Sequence, residues 1–172
     1  MSLLIDEGNQ SFSPDVLAQF DTYQENHPDI CIAMVNCAPE EGKRRLSEKQ
    51  FLARFFKAVA RYYSDDSTSE LISALKYELD RRGDVIPVFV NPQLLCTKES
   101  GRSGAYSSIG PMVTTIRHIW DHSNTPMIFC CNEGFMEAVN ADEAGTSFKW
   151  RSGMWMETSD LKYAKTTRLL SE

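Results

Sequence analysis

The segment from Cys96 to Gly104 combines a thiol and a guanidinium within nine residues. Five residues separate Cys96 from Arg102, in a stretch rich in serine and glycine. A thiolate is a nucleophile, and a guanidinium can bind two oxygens of a phosphate at once. Free backbone N–H groups in a bent loop add further donors for an anion. The pattern predicts a loop that binds a phosphate and presents a thiol to it.

The spacing Cys-x5-Arg-Ser-Gly resembles the phosphate-binding loop of the cysteine-dependent protein phosphatases. The resemblance implies that Cys96 attacks phosphorus, that Arg102 clamps two equatorial oxygens and that Ser103 assists the thiolate. It also implies an upstream aspartic acid that protonates the leaving group. Asp66 lies 30 positions before Cys96 and matches that role.

The same loop has two interpretations that need no nucleophile. In the first, the loop leads into a helix whose N-terminal N–H groups hold a phosphate or carboxylate. The anion-binding residues would then be Gly101, Arg102, Ser103 and Gly104. In the second, a long loop simply needs glycine and serine for its turns. Leu95 and Glu99 favour these interpretations, because the phosphatases usually have a histidine and a glycine at those positions.

A pair of histidines suggests a metal site. His118 and His122 lie four residues apart on a predicted helix, so both imidazoles point to the same side. This spacing can bind zinc, with Asp121 or Cys130 completing the shell. The helix dipole alone also favours histidines near a helix C-terminus. We expect this second role, and we expect neither a metal nor any other cofactor.

Aromatic and cationic residues alternate between Phe148 and Trp155, as they do in proteins that bind single-stranded nucleic acids. The same pattern fits a β-hairpin around Arg151-Ser152-Gly153 whose rings face the core. The net charge of −6 favours the hairpin, because nucleic-acid affinity comes mainly from lysine and arginine. We therefore expect a small anionic ligand or a protein partner rather than a nucleic acid. The oligomeric state stays open.

The composition is that of an ordinary globular protein, with 42% hydrophobic and 24% charged residues. Its length predicts one domain over residues 1–172, which a longer protein could contain. No apolar run approaches the roughly 20 residues of a membrane span, and no signal peptide opens the sequence. The five cysteines lack the spacing of a disulfide scaffold, which favours a reducing cytoplasm.

Helix starts are marked by capping residues. Ser13-Pro14-Asp15 opens a first helix, and capping boxes at Ser47–Gln50 and Ser67–Glu70 open two more. Gly110-Pro111 opens a fourth helix, and a short helix runs through Val139. Residues 91–109 are predicted to be a long loop, and a last helix begins near Ser159.

Three short apolar runs, at 30–35, 85–90 and 127–131, predict buried strands. Pro87 predicts an edge position or a bulge for the second strand. Both ends of the sequence are left out of the fold prediction, because Met1-Ser2-Leu3 and Glu172 could be vector-derived. Strands that alternate with helices predict a three-layer α/β domain with a small, mostly parallel sheet flanked by helices. A C-terminal β-hairpin and helix complete the predicted fold.

An asparagine follows each of the three predicted strands, namely Asn36, Asn91 and Asn132. Ligands bind beyond the carboxyl ends of the strands in parallel α/β sheets, so we expect these side chains to share one edge. The sequence thus favours a regulatory, interaction or ligand-binding module. The alternative is an enzyme that acts on a phosphorylated or other anionic substrate through Cys96 and Arg102.

Overall fold

A computed structural model of the chain describes residues 2–6, 14–43, 45–61, 66–98, 106–123, 125–141 and 154–157. Strands in the main sheet are β1 (Ser2–Asp6), β2 (Cys31–Asn36), β3 (Val85–Val90), β6 (Ile128–Asn132) and β7 (Met154–Glu157). A separate antiparallel ribbon holds β4 (Thr97–Lys98) and β5 (Tyr106–Ser108). The α-helices are α1 (Pro14–Asn26), α2 (Glu48–Ala60), α3 (Thr68–Arg81), α4 (Gly110–Ser123) and α5 (Glu133–Ala141).

The main sheet has the strand order β2-β3-β6-β1-β7, and every described pair in it is parallel. This confirms the predicted α/β class and the parallel sheet. Setting the N-terminus aside was wrong, because Ser2–Asp6 forms an inner strand that pairs with β6 and β7. Its apolar run, Leu3-Leu4-Ile5, is too short to show the periodicity of a strand.

Alternate side chains of the strands point to opposite faces of the sheet, and each face is covered by helices. One face packs Phe89 and Phe129 against the apolar stripes of α2, α3, α4 and α5. The other face packs Val88, Val90 and Cys130 against α1, which contributes Leu17. The chain therefore has the three predicted layers, with its larger core on the side of the four helices.

The two predicted capping boxes are confirmed at the starts of α2 and α3. Ser47 and Ser67 each accept the backbone N–H of the third helical residue, Gln50 and Glu70 respectively. The side chains of these two residues bind back to the N–H of the capping serine. Local hydrogen bonding thus fixes where both helices begin.

The prediction of an edge or bulged position for β3 was wrong, because β3 lies between β2 and β6. N–H groups alternate in direction along a strand, and the N–H of Asn91 donates to Cys130 in β6. The nitrogen of Pro87 therefore faces the β6 side. The β3–β6 ladder begins only at Val88, opposite Ile128, so proline removes no bond from it.

The long loop after β3 is more ordered than predicted. It begins with a 3-10 helix, Pro92–Leu95, and continues into the β4–β5 ribbon. At the C-terminus, Met154–Glu157 pairs in parallel with β1. The first arm of the predicted hairpin and the helix near Ser159 lie outside the described residues. None of the helices in the described ranges is long and apolar enough to cross a bilayer.

Candidate functional site

The three predicted asparagines lie at the carboxyl ends of three adjacent strands, as expected. Asn36 ends β2, Asn91 directly follows β3, and Asn132 ends β6. Backbone bonds join these ends, since the N–H of Asn91 donates to Cys130 at 3.0 Å and that of Cys37 donates to Val90 at 3.0 Å. The ends are staggered, because Asn36 pairs with Val90 and Val90 with Cys130, so Asn132 lies two residues further along its strand than Asn36. We call this line of residues the carboxyl edge.

A fourth polar residue, Asp6, extends the carboxyl edge onto β1. Asp6 is the register partner of Asn132 in the β1–β6 ladder. The chain leaves β1 towards α1 on one face, whereas it leaves β6 directly into α5 on the opposite face. Connections that diverge to opposite faces at neighbouring strands form the crevice in which open α/β sheets bind ligands.

Asn91 and Gln93 give the carboxyl edge a specific backbone and side-chain geometry. Asn91 adopts a left-handed conformation, with φ 58° and ψ 47°. Its side-chain oxygen accepts a hydrogen bond from Gln93 Nε2 at 3.3 Å. Gln93 is only 1% exposed, and its Oε1 atom has no hydrogen-bond partner within the described part of the chain. A buried carbonyl of this kind is a strong acceptor for an N–H or O–H group.

Known proteins do not supply a function for this arrangement. No protein-family model matches the chain, and no curated protein is significantly similar to it. The chemistry of the site therefore rests on its own residues.

The Cys-x5-Arg loop begins beside the carboxyl edge. Cys96 directly follows the 3-10 helix and is 8% exposed, and its thiol donates to the carbonyl of Pro92 at 3.9 Å. Asp66, the predicted general acid, is exposed and precedes the capping residue of α3. Arg102, together with Gly101, Ser103 and Gly104, lies outside the described residues. The phosphatase-like site therefore stays a prediction.

Four buried cysteines lie near the carboxyl edge, with Cys37, Cys96 and Cys131 in the larger core and Cys130 on the α1 side of the sheet. Burial raises the pKa of the Cys130 thiol to about 12. Burial also raises the pKa values of Cys37 and Cys131, although Arg54 partly offsets the effect at Cys37. Three of these thiols are thus neutral at physiological pH and serve as small apolar packing groups.

The histidine pair makes one contact within α4 and one contact to α3. His118 Nε2 lies 2.9 Å from Lys76 Nζ, and His122 Nδ1 lies 2.8 Å from the carbonyl oxygen of His118. Desolvation, followed by the charge of Lys76, lowers the pKa of His118. Within the described ranges, no three acidic, histidine or cysteine side chains are placed to hold a metal ion. His122 lies in the last turn of α4, where the helix dipole favours it.

Proposed function

We propose that this protein is a ligand-binding α/β module whose site is the carboxyl edge over β3, β6 and β1. The observation that carries the proposal is the pairing of Asp6 with Asn132 at the point where the chain diverges to opposite faces. Asn91 on the neighbouring strand supplies a third polar group at the same edge. Open α/β sheets place their ligand sites at such a crevice.

The proposed ligand is a small polar molecule that carries hydroxyl, amine or amide groups. The polar side chains that the structure describes at the carboxyl edge are the amides of Asn36, Asn91 and Asn132, which call for N–H, O–H or carbonyl groups on the ligand. The asparagine amides can both donate and accept. These three described side chains are uncharged amides, so we propose this class first and keep the anion expected from the sequence as the alternative.

A binding role is preferred to the phosphatase-like alternative because of the position of Cys96. A catalytic thiol needs access to its substrate and a microenvironment that stabilises the thiolate. Cys96 is buried and donates to a backbone carbonyl instead. We keep the cytoplasm as the proposed compartment, since all five cysteines are free thiols.

The proposal is tested by thermal-shift and saturation-transfer NMR measurements with ribose, glucose, adenosine, glutamine and inorganic phosphate as probes. At least one hydroxyl- or amide-bearing probe should bind at millimolar concentration. Asn91→Ala and Asn132→Ala should each weaken that binding about tenfold, the loss expected for one buried hydrogen bond. Asn26→Ala is the matched control, because Asn26 is an exposed asparagine at the end of α1.

Two results would count against a ligand site at the carboxyl edge. The first is that none of the probes binds at millimolar concentration. The second is that a probe binds equally well to both edge variants and to the control.

A further inference from the structure

The outer edge of β2 forms the floor of a groove that touches the carboxyl edge at Asn36. β2 is the terminal strand of the sheet order, so among the described residues no strand pairs with one of its long edges. The groove has a volume of about 490 Å³. Its floor includes Met34, Asn36 and Pro39, and its wall is the flank of α2 that carries Arg54, Lys57 and Ala58.

Two side chains already bind the outward backbone groups near the ends of β2. The N–H of Ile32 donates to Gln24 Oε1 at 2.8 Å, and the carbonyl of Asn36 accepts from Arg54 Nη1 at 3.2 Å. The backbone N–H groups of Cys31 and Cys37, by contrast, donate hydrogen bonds on the β3 side of the strand. By this alternation the N–H and carbonyl of Met34 also point outwards. Neither has a partner among the described residues, so a central donor and acceptor are available.

The wall of the groove is cationic in a protein of net charge −6. Arg54 and Lys57 line this groove and an adjoining one of about 570 Å³, to which Lys49 also contributes. The acidic residue of the adjoining groove, Glu40, pairs with Lys43 at 2.6 Å and more distantly with Arg54 at 3.8 Å, so Lys57 is the main cation left for a partner. Lys57 is exposed and forms no ion pair with any residue that the structure describes.

We propose that the edge of β2 binds an extended acidic peptide segment of a partner protein, which adds to the sheet as a further strand. Main-chain bonds to Met34 would supply the pairing, as in other cases of strand addition. Arg54 and Lys57 would supply charge complementarity. A second copy of this chain fits less well, because edge-to-edge pairing about a two-fold axis would bring like charges together.

The geometry also defines the pattern of the peptide. Alternate side chains of an added strand point to opposite faces of the sheet. Those on the α2 side meet Arg54 and Lys57, so they should be acidic. Those on the α1 side continue the surface of Ile32 and Met34, which pack against the smaller core, so they should be apolar. The expected segment alternates acidic and apolar residues.

The test uses the full chain and the capped peptide acetyl-Val-Glu-Val-Glu-Val-Glu-amide, with Lys replacing Glu in a second peptide. Binding is followed by NMR shifts of the backbone amides and by calorimetry. The acidic peptide should shift the amides of β2, with Met34 among the most affected. The lysine peptide should bind at least about tenfold more weakly, because every favourable charge contact becomes repulsive.

Two variants separate charge from main-chain pairing. Lys57→Glu should raise the Kd of the acidic peptide about tenfold and should improve binding of the lysine peptide. Lys76→Glu on α3 is the matched control, because Lys76 does not line either groove. Met34→Pro removes the outward N–H from an edge strand and should abolish binding. If Met34→Pro fails to fold, the Lys57 and Lys76 comparison still decides the matter.

The proposal is overturned if the acidic peptide does not bind at millimolar concentration, or if Lys57→Glu and Lys76→Glu bind it equally. It is also overturned if sedimentation shows that the free protein dimerises through β2. In that case a second copy occupies the edge.

Discussion

Asp6 and Asn132 are register partners at the carboxyl ends of two adjacent parallel strands, although 125 residues of sequence lie between them. From these positions the chain turns to opposite faces of the sheet. The crevice therefore follows from topology rather than from any local motif. It brings together polar residues from the first and the sixth strands of the chain.

Substitutions at Asn91 should reveal the cost of its left-handed backbone. Asn91→Ala and Asn91→Gly both remove the acceptor of Gln93, so they differ mainly in backbone conformation. We expect the alanine variant to be less stable than the glycine variant by about 1 kcal/mol, since a Cβ atom is disfavoured in this region. Urea denaturation measures the difference.

Asn36 provides the control for Asn91, because it lies in a strand. There the order should reverse, with glycine about 0.5 kcal/mol less stable than alanine, since glycine loses more conformational freedom in a strand. Equal stability of glycine and alanine at Asn91 would contradict the left-handed conformation.

Replacement of Gln93 should separate stability from binding. Gln93→Met keeps a similar volume and removes a buried carbonyl that has no partner within the described residues. We expect the free energy of unfolding to change by less than about 1 kcal/mol, because the loss of a buried unsatisfied acceptor offsets the loss of the hydrogen bond from Gln93 Nε2 to Asn91 Oδ1. Binding of the polar ligand should weaken at the same time.

Gln50→Met is the matched control for this substitution. It removes half of the capping box of α2 and should lower the free energy of unfolding by about 0.5 to 1 kcal/mol. A loss of stability in Gln93→Met well above the roughly 1 kcal/mol of the Nε2–Asn91 hydrogen bond would show that the Gln93 carbonyl is satisfied in the folded protein.

The buried thiols should make the protein sensitive to alkali. The pKa of Cys130 is about 12 in the folded protein, against about 8.5 for an unfolded thiol. The folded pKa lies above the unfolded value. The stabilisation of the folded protein associated with the protonated thiol is therefore complete below about pH 8.5 and is lost as the pH rises towards 12. Between these two pH values, ionisation of the Cys130 thiol in the unfolded protein lowers the free energy of unfolding by up to about 1.4 kcal/mol per pH unit.

The contribution of Cys130 is measured by comparing the wild type with Cys130→Ala in urea denaturation between pH 8 and 11. The alanine variant should be less stable at pH 8, because of the cavity, but should lose stability less steeply with rising pH. Parallel pH profiles would show that this thiol does not ionise on unfolding in the expected range.

Alkylation of the native protein tests the phosphatase-like alternative. We expect Cys96 to react more slowly than a free thiol at neutral pH, because its side chain is buried. Mass spectrometry locates the modified cysteines, with urea-unfolded protein as the control in which all five react. Rapid reaction of Cys96 at pH 6, with protection by vanadate, would support the catalytic role instead.

Local signals in the sequence predicted much of the fold. The capping boxes at Ser47 and Ser67 fixed two helix starts, because each depends on residues within one turn. Apolar runs predicted β2, β3 and β6 to within one residue at either end. The three asparagines at the carboxyl edge followed from those strands.

The remaining features depend on partners that are distant in sequence. β1 is too short to show the alternation of apolar and polar residues that marks a strand. Its place as an inner strand comes from pairing with β6 and β7. Pro87 is accepted in an inner strand because the neighbouring ladder begins one residue later. Gln93 could have been noticed as a polar residue between Pro92 and Leu94 just after a strand, but its burial comes from tertiary packing.

NMR mapping of a polar probe on the isotope-labelled full chain shows whether the carboxyl edge binds a ligand. The largest shifts of backbone and side-chain amides should occur at Asn91, Gln93 and Asn132. The same probe should leave these signals unshifted in Asn132→Ala, while Asn26→Ala behaves as the wild type. Shifts that cluster elsewhere, or that persist in Asn132→Ala, would contradict a ligand site at the carboxyl edge.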